Sequence, residues 1–242
     1  MINKYDNIIV LGCGGTGSIL IPLLARFLYS QQYDGHITLV DGDEYSESNL
    51  ERQIFGVDHI NMNKAEYQGN VIAKHIPSMS DQISIIDKYL SQSEIENIVD
   101  ENCVVFNCTD NKAARKFVED RCLELSNSVH ICCGNEMKTG QVQISLRVDG
   151  EQVTPSIYDR YPNMNSSNDD RSILSCEELA ALPSGGQLIC ANATSAVLAL
   201  NCFVSLVTSK LSNGGKTISH SHVCFHTLNN KFETDEVEMG VC

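Results

Sequence analysis

Basic side chains are scarce in this chain: 17 lysines and arginines stand against 31 aspartates and glutamates over 242 residues, a formal charge of −14. A surface of that sign repels a nucleic-acid backbone across the Debye length, so no nucleic acid is expected as a partner. The same scarcity makes any local group of cations informative. No apolar run is read as approaching the roughly 18 residues of a bilayer-spanning helix, so no membrane is expected either. The polar start, 1–7, runs straight into strand-like sequence without a basic region and an apolar stretch, so no signal peptide is read. Eleven cysteines is an odd count, no Cys-x-x-Cys pair occurs, and Cys132 and Cys133 are adjacent. The usual ligand spacing of a structural zinc is missing, so no zinc is expected. Thiols scattered through apolar segments such as 104–108 and 129–133 point instead to reduced, mostly buried cysteines and a cytoplasmic location.

What is present reads as globular: 42% of residues are apolar and 20% charged, a balance that supports one sizeable core. Short β-branched runs at Asn7–Leu11 (NIIVL) and His36–Val40 (HITLV), then at 83–86, 104–107 and 129–132, predict buried strands. Helical spacing lies between them, at 18–29, 62–76, 93–99 and 111–126. This alternation predicts an α/β fold, a Rossmann-like, mostly parallel sheet with helices on both faces. After Gly134 the pattern changes. An alternating strand at 141–147 begins an antiparallel extension, and a long polar crossover loop follows at 152–184. An Ala/Leu-rich helix at 190–208 comes next. A hairpin over 222–228 and 231–236 is expected to turn at Asn229–Asn230. With neither a repeat nor a clear linker, 1–242 reads as one domain, a nucleotide-binding half (1–135) and a partner-binding, dimerising half (136–242).

Gly12-Cys13-Gly14-Gly15-Thr16-Gly17 follows a strand and opens a helix. Glycines let backbone approach phosphate closely, and the helix start offers free N–H groups and a positive dipole. Asp41 ends the second strand, where a carboxylate takes a ribose hydroxyl. Both features suit NAD as well as ATP. A dinucleotide's pyrophosphate carries about two charges, which the loop and dipole can meet; a triphosphate carries roughly two more. Arg52 and Lys64, rare cations near the sheet's carboxyl edge, suit that excess and the charge of a leaving group. The alternative is that they are solvated surface charges. Asp110 follows a strand at the same edge and suits Mg²⁺, which favours one or two carboxylates plus phosphate oxygens; it equally suits a helix N-cap.

Taken together, GCGGTG at 12–17, VDGDEYSESNLERQ at 40–53, Lys64 and CTDN at 108–111 resemble the ubiquitin-activating-type (E1-like) family that includes ThiF, MoeB and HesA. GNEMKTGQV at 134–142 is similar to the segment that follows. The resemblance implies ATP and Mg²⁺ as cofactors, held by Gly12, Gly14, Gly15, Thr16 and Gly17, with Asp41 on the ribose. It further implies Asn49, Arg52, Gln53 and Lys64 around the phosphates, Asp43 in support, and Asp110 on the metal with Asn111 beside it. Arg115 matches a family arginine and is expected to be structural. The implied reaction is adenylation of the C-terminal carboxylate of a small ubiquitin-like or sulfur-carrier-like protein, a β-grasp partner ending in Gly-Gly, by a homodimeric enzyme. The alternative substrate is a peptide, a small molecule or an RNA-borne carboxylate. An NAD-dependent oxidoreductase would leave Arg52, Lys64 and Asp110 unexplained, and a non-catalytic scaffold would not need them.

Many family members then load a loop cysteine. Cys176 occupies a comparable loop and is either that nucleophile or an ordinary loop thiol; Glu177 and Glu178 oppose its ionisation. Cys190 reads as core, and Cys242 carries no assigned role. His220, His222 and His226 alternate as on a strand face, where packing is favoured over metal binding. Two family features are absent: an N-terminal helix bearing an arginine, since only Lys4 is cationic before the first strand, and zinc-binding cysteine pairs.

Overall fold

NIIVL and HITLV place apolar residues on both faces, and residues 8–11 and 37–40 are all buried, so both strands must be covered on two sides, and the fold provides that. The computed structural model describes residues 2–136, 138–164, 188–208 and 220–235. Five strands run parallel: β1 (Asn7–Leu11), β2 (His36–Val40), β3 (Ile83–Ile86), β4 (Cys103–Asn107) and β5 (Ser128–Asn135). β6 (Thr139–Val148) turns back antiparallel to β5 and pairs with the short β7 (Glu151–Gln152) and with β8 (His222–His226), which pairs with β9 (Lys231–Thr234). The sheet is ordered β3-β2-β1-β4-β5-β6-β8-β9. Its order reverses between β1 and β4, whose last residues, Leu11 and Asn107, are register partners. Ligands of open α/β sheets bind at such a switch point.

Among the described residues, six α-helices flank the sheet: α1 (Gly17–Ser30), α2 (Lys64–His75), α3 (Gln92–Ile98), α4 (Lys112–Glu124), α5 (Ile157–Arg160) and α6 (Ile189–Thr208). Successive residues of a strand face opposite sides. Ile8 and Val10 join a core with Leu20, Leu24, Ile72 and Phe203 under α1, α2 and α6; Ile9 and Leu11 join another with Ile95 and Val118 under α3 and α4. Phe203 is fully buried, with ring centroids 6.2 Å from Tyr5, 6.1 Å from Phe27 and 5.4 Å from Phe106. One side chain of α6 thus joins the N-terminal turn, α1 and β4.

The fold class matches the sequence reading, with several corrections of detail. β5 continues to Asn135 because its ladder with β6 runs from Ser128–Arg147 to Asn135–Gly140, so pairing rather than local pattern sets its length. Within the expected loop, the described part holds α5, entered through a capping box in which Ser156 Oγ accepts from Asp159 N at 3.2 Å. The hairpin turns slightly earlier than expected, through Thr227–Asn229, and Asn230 takes the left-handed φ of +49°. Cys190 is exposed rather than core, while five of the nine described cysteines are buried, and all nine are free. The expectation about apolar runs also fails. α6 spans 20 residues without a charge at a mean hydropathy of 1.7, long and apolar enough to cross a membrane by length and composition. Scattered Asn, Ser and Thr residues disguise the run. Here α6 packs against α1, β5 and β6.

Phe203→Ala should cost about 3–5 kcal/mol of unfolding free energy in equilibrium denaturation. Val197→Ala, on the exposed side of the same helix, should change it by less than about 1 kcal/mol. Equal losses would show that the buried face of α6 is misassigned.

Candidate functional site

Gly12 is the first residue past β1, and its φ of +87° is a conformation that glycine adopts without strain. Its N–H donates to Val40 O at 2.9 Å, and Cys108 N, just past β4, donates to Leu11 O at 2.8 Å. The ladders therefore run on beyond the strands and fix the loop over the switch point. A Cβ on Gly15 would sit 2.5 Å from Asn192 Nδ2, so α6 presses directly on the loop. Gly14 faces the Gln53 side chain, and Gly17 opens α1. Thr16 does not cap that helix; its Oγ1 accepts from Asn135 Nδ2 at 2.7 Å.

Asp41, at the end of β2, accepts from Cys13 N at 2.6 Å and from Asp43 N at 2.9 Å. Burial raises its pKa above the usual carboxylate value; Lys64 and the two N–H bonds oppose that rise without cancelling it. Asn63 caps α2, accepting from Ala65 N at 2.8 Å, and its amide donates to the carbonyls of Asp41 and Asp43 at 2.9 and 3.2 Å. That docks the loop after β2 on the helix that begins with Lys64. Lys64 is 3% exposed, with Nζ 3.0 Å from Asp43 Oδ2. Tyr89, which the sequence reading missed, donates its hydroxyl to the other Asp43 oxygen.

Arg52 is 4% exposed, and its Nε and Nη2 have no hydrogen-bond partner. Neither it nor Lys64 is a solvated surface charge. Gln53 is equally buried, with Oε1 unpartnered. Both follow a 3-10 turn, Glu47–Asn49, in which the fully buried Asn49 accepts from Ser46 N at 3.2 Å. Asn49 O then accepts from Arg52 N and Gln53 N at 3.1 and 2.9 Å. Asn49 thus shapes the segment that presents the two side chains.

Asn111, and not Asp110, caps α4: its Oδ1 accepts from Ala113 N and Ala114 N at 2.8 and 3.2 Å. Asp110 is exposed at the carboxyl edge beside it. Arg115 is structural, as expected, donating to Thr109 O at 2.7 Å and to Cys133 O at 2.8 Å, which ties the loop after β4 to β5. Of the histidines, His220 Nδ1 lies 2.7 Å from Asp235 O and His222 Nε2 3.2 Å from the Tyr161 hydroxyl. Cys176 and Cys242 lie outside the described residues.

A polar network behind the loop escaped the sequence reading. Asn135 Nδ2 reaches both Thr16 and Asn192 Oδ1 (3.0 Å), Ser195 Oγ donates to Asn135 Oδ1 at 2.5 Å, and Asn192 Nδ2 donates to Arg52 O at 3.2 Å. Asn107, with no exposure, holds Thr109 Oγ1 at 2.7 Å and leaves its Nδ2 unpartnered. The available signal was the pair Asn192 and Ser195, three apart in an apolar helix.

The model of the ThiF family matches residues 2–238. Molybdopterin-synthase adenylyltransferase of Haemophilus influenzae is 27% identical over 202 residues, 80% of this chain and 74% of the relative. Adenylyltransferase and sulfurtransferase UBA4 of Yarrowia lipolytica is 31% identical over 142 residues, 58% of this chain; the match spans 34% of that relative's length. Among solved structures, the microcin C7 biosynthetic enzyme MccB in complex with N-formylated MccA superposes with a TM-score of 0.70 at 17% identity, over 99% of this chain and 67% of that one. Escherichia coli MccB with ATP gives 0.67 at 17% identity, over 99% and 65%.

Asn111→Ala should lower stability by about 1 kcal/mol through loss of the cap. Asp110→Ala should change it by no more than about 0.5 kcal/mol. Thermal and chemical denaturation of the two variants checks this, and the reverse order would return the cap to Asp110.

Proposed function

We propose, for a chain that belongs to the ThiF family, that it binds ATP at the 12–17 loop and adenylates the C-terminal carboxylate of a small protein. The observation that carries this is Arg52: a guanidinium held out of water with two nitrogens unbonded. Such a group costs stability until an anion meets it. Its neighbour Gln53 reaches the loop, 3.4 Å from a Cβ placed on Gly14, and the dipole of α1, which that loop opens, also favours phosphate. Lys64 and Gln53 complete the polar lining.

In this reading the substrate carboxylate attacks the α-phosphate and pyrophosphate leaves. Arg52 and Lys64 bind the phosphates and take up the charge that grows on the leaving group. Asp41 holds the ribose while its carboxylate is fixed by Cys13 N and Asp43 N. Asp110, exposed at the carboxyl edge, suits Mg²⁺, which needs one or two carboxylates besides phosphate oxygens and water and would screen the phosphates from the incoming anion. We propose that two copies form a homodimer, and that free, mostly buried thiols suit a reducing cytoplasm.

The relatives named as molybdopterin-synthase adenylyltransferases favour a Gly-Gly-tailed, ubiquitin-like or sulfur-carrier protein. The likeness to MccB with MccA supports a second reading, in which the carboxylate belongs to a peptide. ATP–pyrophosphate exchange separates them: stimulation by a Gly-Gly-ended protein supports the first, stimulation by a short peptide the second. Exchange with neither, alongside nicotinamide binding, would sink both.

Arg52→Met should slow exchange by about 10²–10³-fold while leaving ligand-free stability unchanged or higher, because the unpaired guanidinium is gone. The gain in melting temperature with ATP should vanish. A variant that exchanges normally would remove Arg52 from the site. Asp110→Ala should abolish exchange at all Mg²⁺ concentrations; exchange at the native rate would refute the metal assignment.

A further inference from the structure

A second cluster of reactive side chains lies on the face of β5 covered by α4 and α5. Register pairs Asn107–Cys132 and Cys132–Gln143 place three side chains in one row on that face, and His130, two residues back, shares it. His130 Nδ1 is 2.7 Å from Glu119 Oε2, and neither side chain is exposed. The other Glu119 oxygen is held by Ser145 Oγ at 2.8 Å and Ile157 N at 3.0 Å, so the carboxylate cannot turn. His130 Nε2 makes no hydrogen bond, and the ring lies two residues from Cys132 on the same face of β5.

Cys132, 8% exposed, faces a cavity of about 380 Å³. Gln143, 2% exposed on the same wall, leaves its Oε1 unpartnered. Lys112 and Arg115 from α4, Arg160 from the end of α5, and Tyr161 complete the charged and titratable groups facing the thiol. Burial pushes the thiol up, but the Arg115 guanidinium and His130 outweigh it, and Cys132 lies below its ordinary pKa. Burial likewise disfavours the imidazolium, yet Cys132 and Glu119 raise His130 to about 9. A nucleophile, a base beside it and a third group orienting the base make the arrangement of covalent catalysis.

We propose that Cys132, paired with His130, is a nucleophilic thiol that takes the acyl group from an acyl-adenylate as a thioester inside this cavity. The identity of the donor rests on the adenylation reading above; the reactivity of the thiol does not. In the step, the Cys132 Sγ–carbon bond forms as the carbon–oxygen bond to phosphate breaks. AMP leaves with that electron pair, and the thiol proton resides on His130. Cys132 is level in register with Asn107 and Leu11, the last residues of β4 and β1, two strands and about 10 Å across the sheet from the start of the glycine loop.

Incubating the full chain with preformed acetyl adenylate tests this without requiring adenylation. Peptide mass spectrometry should find a hydroxylamine-labile acetyl group on Cys132, absent from Cys132→Ala. Acetylation confined to lysines or to other cysteines overturns the proposal. With iodoacetamide at pH 6.5, Cys132 should be alkylated on the order of tenfold faster than the exposed Cys190; slower labelling of Cys132 overturns its thiolate character. Because His130 holds the thiol proton, His130→Gln should cut Cys132 alkylation about tenfold at pH 6.5, and the loss should disappear at pH 9.5. An equal loss at both pH values marks a packing defect and refutes the pair. If pyrophosphate exchange fails with every carboxylate while these labels appear, the adenylation reading falls and the thiol stands. Intact exchange with an unlabelled Cys132 refutes the thiol and leaves adenylation standing.

Discussion

The desolvated charge of Arg52 is the constraint to which the front of the molecule answers. A guanidinium can stay out of water only if its surroundings are rigid enough to prevent it from snorkelling back. Asn49 supplies that rigidity from below by fixing the turn through Arg52 N, and Asn192 from above by holding Arg52 O. Asn192 is fixed in turn through Asn135, which also holds Thr16. The turn after β2, the helix start after β1, the end of β5 and the first two turns of α6 therefore meet in one bonded group, and none can relax alone.

Two halves of the sheet do different work. The parallel half brings Gly12 and Cys108 side by side through backbone bonds that outlast the strands. The antiparallel half, beginning where β6 turns back on β5, carries polar side chains on its α4-facing side, His130, Cys132, Gln143 and Ser145. A sheet face lined that way has to be satisfied locally. Glu119 does so by serving His130, Ser145 and the first residue of α5 together.

The glycine loop and the strand–helix alternation were legible in the sequence, because each is written in consecutive residues, and Arg52 and Lys64 stood out as rare charges, both of which the fold buries. What was not legible depends on partners distant in the chain. Asn135 and Asn192 look like ordinary polar residues until β5 and α6 meet over Thr16. Asp110 and Asn111 are equal capping candidates by type, and only backbone geometry assigns the cap to Asn111. Cys190 sits in apolar sequence yet points outward, since a helix buries one side and the periodicity at its first turn is ambiguous. The extent of α6 was read to within one residue, but its apolar run was missed because its asparagines and serines were counted as interruptions, although two of them, Asn192 and Ser195, are buried in the network.

The approach of Asn192 to Gly15 leaves no room for a methyl group between helix and loop. Close-packed contacts of this kind pass displacement on rather than absorb it. The loop cannot move toward Asn192 without pressing on the helix, and Phe203 anchors that helix among the rings of Tyr5, Phe27 and Phe106. A shift of the glycine loop is therefore mechanically coupled to the chain's N-terminal turn, over a lever made of a single amide and one aromatic wedge.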